Sequence, residues 1–592
     1  MPDFYPRPLL KRNLWHSLNG PWQFAFSAEK HLKNVGFDRV IQVPYAPETP
    51  SSGIHDESYH PSLWYQREVQ VPQDLQPGEN ERLVLHFGAV DETAHVFVNG
   101  ISLGKHEGGY TPFSFDITDH VSEGRFTLSV HAVDDPLNLN VPRGKQDWQE
   151  APHAIWYPRT SGIWQTVWLE KVPAVHITRI QWTPDVSKFT LKLKVEFSEP
   201  VVGDLRIEVE DLIADTYQVR GKVLERTLHF PDPGLDDPRD DLLWFPEHPR
   251  LLHALLTLTT RTGTDAVASY TAMRSFGTKG RRFMLNGRPY GLRLVLDQGY
   301  WKGGGMTATS EQLRLDVELS RRLGFNGVRK HQKIESPEFL RWCDELGLLV
   351  WEELPSHYAF SDQAVKKATQ TWTEAIERDI SHPCIVVWVP FNESWGLPEL
   401  AENPVTRHYQ HALYHLTHTL DGTRPVSAND GWEQVTGDLY SIHDYESNPE
   451  NIFARYQSPE SIEKTSWQLW PGGRQQRLET FNADHKPVML TEFGGIAFMT
   501  EGGWGYSKAT TPEEFHRQYD ALLKAVRKAM DLKGLHGFCY TQLTDTYQEQ
   551  NGLLTMAREP KIPFEDLHLS TRGEFDAQNP LGYSRRWLNR GR

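Results

Sequence analysis

From the N-terminus to about residue 172, apolar and polar positions trade places in short runs. Leu83-Val84-Leu85-His86-Phe87, Ala94-His95-Val96-Phe97-Val98, Phe126-Thr127-Leu128-Ser129-Val130 and Gln165-Thr166-Val167-Trp168-Leu169 read as short strands with one buried face. Turn residues separate them, among them Asn99-Gly100 and Glu107-Gly108-Gly109. Asn-Gly between two such runs predicts a tight hairpin, so residues 1–172 are expected to form a β-sandwich. Residues 173–276 repeat the style on a smaller scale. Thr190 to Phe197 and Leu251 to Thr260 alternate, with turns such as Asp232-Pro233-Gly234. About 100 residues is the size of an immunoglobulin-like sandwich.

The pattern changes over residues 277–592. Apolar runs at Tyr290–Leu296, Gly327–Lys330, Leu348–Trp351, Ile385–Val389, Pro425–Ala428, Tyr440–His443, Val488–Thr491 and Gly537–Thr541 predict strands. Segments of helical period lie between them at Ser310–Leu323, Ser336–Leu346, Asp362–Ile380, Val405–Leu420 and Pro512–Leu532. Eight strands alternating with helices is the arithmetic of a (β/α)8 TIM barrel. A doubly wound sheet alternates in the same way. No Gly-x-Gly-x-x-Gly follows a strand, however, and no phosphate-binding loop is present, which removes the best evidence for a nucleotide fold.

Composition narrows the function classes. The chain has 592 residues, 38% hydrophobic, with 20 Trp, enough apolar mass for several cores and inconsistent with disorder. Abundant Trp also suits a protein that stacks sugar rings. The formal net charge is −16 with both signs interspersed, so no basic stripe exists to displace counterions from nucleic acid. No apolar run reaches the roughly 18 residues of a membrane span, and the N-terminus lacks the apolar stretch of a signal peptide. Three separated cysteines, Cys343, Cys384 and Cys539, form no disulfide or metal framework. A reducing cytoplasm is the expected compartment.

A barrel carries its reactive groups where its strands end. Pro390-Phe391-Asn392-Glu393-Ser394-Trp395 follows the fourth expected strand, and Glu492-Phe493-Gly494-Gly495 follows the seventh. Each places a carboxylate beside an aromatic, on opposite sides of the barrel mouth. Two carboxylates facing across a pocket are the equipment of glycoside hydrolysis, provided their pKa values are separated, and aromatic neighbours could raise one by desolvation.

These residues resemble glycoside hydrolase family 2, the family of β-galactosidases, β-glucuronidases and β-mannosidases. Asn392-Glu393 resembles its acid/base motif and Thr491-Glu492-Phe493-Gly494 its nucleophile motif. Leu18-Asn19-Gly20-Pro21-Trp22-Gln23-Phe24, Trp64-Tyr65-Gln66-Arg67, Val96-Phe97-Val98-Asn99-Gly100, Gly108-Gly109-Tyr110-Thr111-Pro112-Phe113 and Ser161-Gly162-Ile163-Trp164-Gln165-Thr166-Val167 resemble its sugar-binding domain. Asn326-Gly327-Val328-Arg329 and Cys343 to Val350 resemble two barrel strands. The resemblance implies a jelly-roll sandwich, an immunoglobulin-like sandwich and a catalytic TIM barrel. It also implies a retaining double displacement, with Glu492 as nucleophile and Glu393 as acid and then base. Asn392 would bind the sugar 2-hydroxyl, and Tyr445 would touch the nucleophile. Arg329 and His331 fall near a family Arg-x-Ser-His element one residue longer. Tyr540 stands where relatives carry a Trp floor, and Asp135 loosely matches an Asp that enters the site from the first domain. His443, Asn429, Asp430 and Trp432 end strands and line the pocket or are ordinary loop residues. Glu352-Glu353 holds a hydroxyl, or faces solvent or an Arg.

Departures from the family shape the substrate expectation. The Mg²⁺ element of the large β-galactosidases is replaced by Glu353-Leu354-Pro355-Ser356-His357, so no metal and no cofactor is expected. The Asn-x-Lys element that holds the uronate carboxylate in β-glucuronidases is replaced by Glu549-Gln550-Asn551. A terminal neutral sugar is therefore expected, a β-galactoside first. β-Galactofuranoside, α-L-arabinofuranoside and β-mannoside are alternatives. A glucuronide would need Arg558 or Lys561 as a replacement cation. A non-catalytic sugar binder would not need both glutamates. The resemblance also suggests a homo-oligomer.

Overall fold

The computed structural model describes residues 4–231, 240–478, 481–498 and 503–573. The expected turn at Asp232-Pro233-Gly234 and the end of the 277–592 segment lie outside these residues. In the N-terminal part, two antiparallel sheets enclose one core. The four-stranded sheet runs Trp15–Ser17, Val167–Pro173, Glu81–Phe87, Phe113–Asp116. The six-stranded sheet runs Arg39–Val43, Gly20–Phe26, Ser62–Gln70, Arg125–Val133, Thr93–Val98, Ile101–Glu107. Phe24, Tyr65, Leu85, Phe87, Val96 and Leu128 meet between them, fully buried. Asn99 and Gly100 take φ of 50° and 78°, the left-handed pair that a two-residue hairpin demands.

A second β-region follows, built of Ile177–Asp185, Thr190–Val209, Ile213–His229, Leu252–Thr260 and Gly263–Thr271. Its second strand is long. The first half pairs with Ile177–Asp185 and the second half with Leu252–Thr260, with a register break between Glu196 and Val201. That break lets one strand serve two layers around a core containing Trp182, Leu193, Leu205 and Val267.

The third part is a parallel barrel. Seven strands lie in the order Ile385–Val389, Leu349–Glu353, Gly327–Lys330, Leu292–Asp297, Gly537–Thr541, Val488–Gly494, Tyr440–His443. The expected strand Pro425–Ala428 is not formed. Isolated parallel bridges, Trp388 to Val426 and Asn392 to Asp430, fill its place. Pro425 has no N–H, and the Val426 amide donates to Asp438 Oδ2 at 2.7 Å, so neither residue can supply a regular ladder. The five expected helices appear as Ser310–Arg322, Pro337–Leu346, Asp362–Asp379, Pro404–Leu420 and Pro512–Asp531. Thr309, Ser336, Ser361, Asn403 and Thr511 cap them by accepting backbone N–H bonds. Three further helices, Pro449–Tyr456, Pro459–Gln468 and Phe564–Arg572, were not expected. Asn448-Pro449 and Ser458-Pro459 begin two of them with the same cap chemistry.

Between Val133 and Gly162 the chain leaves the sandwich and crosses the barrel mouth. The Arg143 and Gly144 amides both donate to the Ser356 carbonyl at 3.0 Å, and the Tyr358 and Ala359 amides donate to Leu139. Gly144 is required there. Its φ is +60°, and a Cβ would sit 2.2 Å from the Gln332 carbonyl oxygen. Among the described residues no helix is long and apolar enough to cross a membrane. The three cysteines are buried and unpaired.

Candidate active site

Glu393 and Glu492 come together at the barrel mouth. A carboxylate oxygen of each lies within 4.8 Å of the other and of a ring nitrogen of His443. Glu393 and Ser394 both have left-handed backbone, φ 52° and 57°. The Glu393 amide donates to the Asp430 carbonyl at 2.9 Å, and the Ser394 amide to Asn429 Oδ1 at 2.9 Å. These bonds hold the turn that lifts Glu393 off its strand into the pocket.

Arg329 organises the cluster. It is fully buried. Its Nε donates to Glu353 at 2.7 Å, and its terminal nitrogens reach Thr491 O at 2.7 Å, Asn392 Oδ1 at 2.9 Å, Asp430 at 3.0 Å and Glu492 at 3.3 Å. The Tyr445 hydroxyl donates to the other oxygen of Glu492 at 2.6 Å. Asn392, whose Oδ1 is taken by Arg329, has a buried Nδ2 without a protein partner. That leaves a donor free for a sugar hydroxyl. His331 Nδ1 lies 2.9 Å from Glu353, so it backs the Arg329 partner and stands behind the pocket.

His443 lies between the two carboxylates. Nδ1 is 2.8 Å from Glu393, and Nε2 is 2.9 Å from Asp430 and 3.4 Å from Glu492. Burial opposes its charge, but Glu492, Asp430 and Glu393 outweigh burial and raise its pKa to about 10. It is an imidazolium at neutral pH. For Glu393, burial pushes the pKa up, while His443 and then Lys145 pull it down, and the net position is below an ordinary glutamate. At Glu393 the desolvation expected to raise the pKa is present, but His443 and Lys145 together outweigh it. The His443 imidazolium wins because it is hydrogen-bonded and fully buried, whereas an aromatic ring only removes water. The Glu393–His443–Glu492 cluster is also close enough to hold an ion. Both imidazole nitrogens face carboxylates, Nδ1 at 2.8 Å from Glu393 and Nε2 at 2.9 Å from Asp430, so an ion bound there would have to displace a proton from the ring.

Two expected site residues stand elsewhere. Tyr540 points out of the barrel, packed edge-on against Phe493 and Tyr519 and beneath Gly494. Strand alternation explains this. Cys539 feels the charges of Arg329 and Glu492 inside, and Thr541 Oγ1 lies 3.3 Å from the Tyr445 hydroxyl, so Tyr540 faces outward. Asp135 is exposed, and its Oδ1 accepts the Leu137 amide in a local turn, while its buried neighbour Asp134 bonds Ser161.

Several pocket residues were not expected. Tyr506 stacks on Tyr445, ring centroids 3.3 Å apart. The Trp395 ring lies 5.5 Å from Trp156, 5.3 Å from Tyr358 and 5.9 Å from Trp432. Tyr157 donates to Glu549 at 2.5 Å, and Lys145 brings a cation. Lys145, Trp156 and Tyr157 all come from the long crossing of the sandwich. Its length without strands was the available signal, since connections beyond about 15 residues inside a compact domain usually do work. Arg558 is held by Asp316 at 2.9 and 3.0 Å and Lys561 by Asp545 at 2.6 Å, so neither is available to a ligand.

Comparison with known proteins agrees with this architecture. Residues 33–173 match the model of the glycosyl hydrolases family 2 sugar binding domain, and residues 277–526 match the family 2 TIM barrel domain. A β-galactosidase of Thermoanaerobacter pseudethanolicus is 26% identical over 546 residues, 88% of this chain and 64% of the relative. A putative β-glucuronidase of Formosa agariphila is 26% identical over 517 residues, 83% of this chain and 58% of the relative. The chain thus spans less than two thirds of the length of these two. The structure of Bifidobacterium dentium β-glucuronidase complexed with coumarin-3-O-glucuronide superposes with a TM-score of 0.77 at 21% identity, covering 96% of this chain and 98% of that one. That likeness concerns the fold. With both its sandwich and its barrel matched by models of one family, the chain belongs to glycoside hydrolase family 2, a family of O-glycosyl hydrolases.

Proposed function

We propose that this chain is an exo-acting β-glycosidase that retains anomeric configuration. The observation that carries the reading is the separation of Glu393 and Glu492. Oxygens within 4.8 Å leave no room for a water between the carboxylates, as retention requires, whereas inversion needs about 6.5–9.5 Å. Glu492, aimed by Tyr445 and Arg329, attacks the anomeric carbon and forms a glycosyl ester as the bond to the leaving oxygen breaks. Glu393 protonates that oxygen. Because Glu393 rests as a carboxylate, its proton comes from His443 Nδ1–H, 2.8 Å away. In the second step Glu393 takes a proton from water, the hydroxide displaces Glu492, and the proton returns to His443. The exo reading is supported by closure of the mouth, where Trp504 Nε1 donates to the Ala154 carbonyl at 3.1 Å.

A neutral sugar, a β-galactoside first, is supported by Glu549 and Asn551 on the wall and by the occupied Arg558 and Lys561. A β-uronide is the second reading, favoured by one observation, the buried Lys145. We place the enzyme in the cytoplasm on its three unpaired thiols, and as a homo-oligomer on its family. The experiment is trapping with 2-deoxy-2-fluoroglycosyl fluorides, then peptide mapping. The label should lie on Glu492, and Glu492→Ala should lower kcat by several decades. Turnover with the label on another residue, or none, would overturn the assignment.

A further inference from the structure

The hydroxyl that aims Glu492 depends on how its own ring is held. Tyr445 lies two residues beyond the end of its strand and is half-buried. Its hydroxyl donates to Glu492 at 2.6 Å and lies 3.3 Å from Thr541 Oγ1. Burial, then Glu492 and Tyr506, push its pKa well above that of an ordinary tyrosine, so the phenol stays a donor at neutral pH. Among the described residues the Tyr445 ring meets one other ring, that of Tyr506, at a centroid distance of 3.3 Å and an interplanar angle of 6°. Two rings left to themselves prefer an offset or edge-on arrangement, so this near face-to-face pair is imposed by the backbone around it.

Three constraints place Tyr506. Its amide donates to the Gly495 carbonyl at 2.9 Å, and Ser507–Ala509, which begins at the next residue, pairs with Ile496–Phe498. Trp504 is tied to the sandwich at Ala154 and through its backbone to Gln548 and Gln550, and its ring stands edge-on to Tyr506 at 5.4 Å. Gly495 leaves the space, since a Cβ there would run into the Tyr506 ring and come within 3.3 Å of Tyr445 Cε1. Among the described residues no hydrogen bond joins Tyr506 to Glu492, so whatever Tyr506 does for that carboxylate passes through the ring it covers.

We propose that Tyr506 is a positioning residue for the nucleophile: lying flat on Tyr445, it holds the Tyr445 hydroxyl on Glu492 and acts on the reaction through that contact alone. This rests on the glycosidase reading above. The ring of Tyr506 then matters more than its hydroxyl, and its contribution vanishes once Tyr445 has no hydroxyl to place.

The test follows inactivation by 2-deoxy-2-fluoro-β-D-galactosyl fluoride, or by the glucosyl or mannosyl analogue where that one labels faster. The kinetics resolve into a binding constant Ki and a rate constant ki for formation of the glycosyl-enzyme. Tyr506→Leu should lower ki about 10- to 30-fold, because a slightly displaced nucleophile loses its attack geometry, and should leave Ki within about threefold. Tyr506→Phe, which keeps the ring, should recover ki to within about threefold of the wild type. In a Tyr445→Phe background, Tyr506→Leu should lower ki by less than about twofold more, since two residues acting through one contact are not additive. Thermal melts confirm folding. The Tyr506 ring keeps 41% of its surface exposed, so its loss takes little from the core, and Tyr506→Met replaces Tyr506→Leu in both backgrounds should the latter not fold. Full additivity of the two losses, a loss confined to Ki, or a loss in Tyr506→Phe as large as in Tyr506→Leu overturns the assignment while the label still lies on Glu492. A label on another residue in the wild type, or none, overturns the glycosidase reading and this one with it.

Discussion

The candidate site has two walls of different origin. One consists of the ends of barrel strands: Arg329, Glu353, Asn392, Glu393, His443 and Glu492. Each lies within a few residues of the C-terminal end of a buried parallel strand, and Arg329 ties the group together through a single guanidinium. The other wall is the crossing segment of the sandwich, with Lys145, Trp156 and Tyr157. Hydrogen bonds to Ser356, Tyr358, Glu549, Trp504 and Gln548 hold it there. The strand-end wall carries the two glutamates and the hydrogen-bonded cations between them. The sandwich wall carries groups that would meet the rest of the substrate. On the proposed reading, bond making and breaking would fall to the first wall and contact with the rest of the substrate to the second.

That division can be broken at each wall in turn. The largest effect should come from Glu393→Ala. With a poor leaving group, loss of the acid should cost three decades or more in kcat/KM, while an activated nitrophenyl leaving group, which needs little protonation, should suffer far less. A Brønsted plot over aryl glycosides measures this, and equal losses across the series would remove the acid role. Gly144→Ala should act on the other wall. The added methyl meets the Gln332 carbonyl at 2.2 Å on a left-handed backbone, so the segment must shift, and a displacement near 1 Å should cost about 10- to 100-fold in kcat/KM. Gly36→Ala, with nothing within 4 Å, serves as the neutral control. Unchanged kinetics in Gly144→Ala would show that the sandwich wall does not shape the site.

The smallest effect concerns stability. The folded His443 titrates at about 10, above the about 6.5 of a histidine in an unfolded chain. Its contribution is therefore complete below about pH 6.5 and is lost as pH rises toward 10. The Tm difference between wild type and His443→Gln should narrow over that interval by a few degrees. A constant difference from pH 6 to 10 would mean that the ring is neutral throughout.

The two walls were not equally legible in the sequence. Glu393 and Glu492 could be singled out because a strand-end carboxylate sits at a fixed offset from an apolar run, whereas Tyr445 was named only through the family resemblance. Tyr540 shows where the rule slips. The two-residue period puts position 540 on the opposite face from 539 and 541, so matching the place of a residue along the strand missed the direction in which it points. Asp135 failed by the same single step, with Asp134 inward. Pro425–Ala428 had a strand's composition, but its amides are diverted by Pro425 and Asp438. Lys145 left no local mark at all. Its position is set by tertiary contacts between segments about 200 to 400 residues apart, and only the length of the crossing hinted that it had a use.

Arg329 has one more consequence, visible when the whole cluster is treated as a fixed electric field. Four carboxylates, Glu353, Glu393, Asp430 and Glu492, surround two cations, Arg329 and His443. The excess is negative, and it is locked in place before any substrate arrives. A resting sugar, uncharged at its anomeric carbon, gains little from that field. An oxocarbenium-like carbon passing between Glu393 and Glu492 gains a great deal, without any dipole having to turn. An anionic substituent would be repelled by the same field unless it were met by a charge of its own on the far wall.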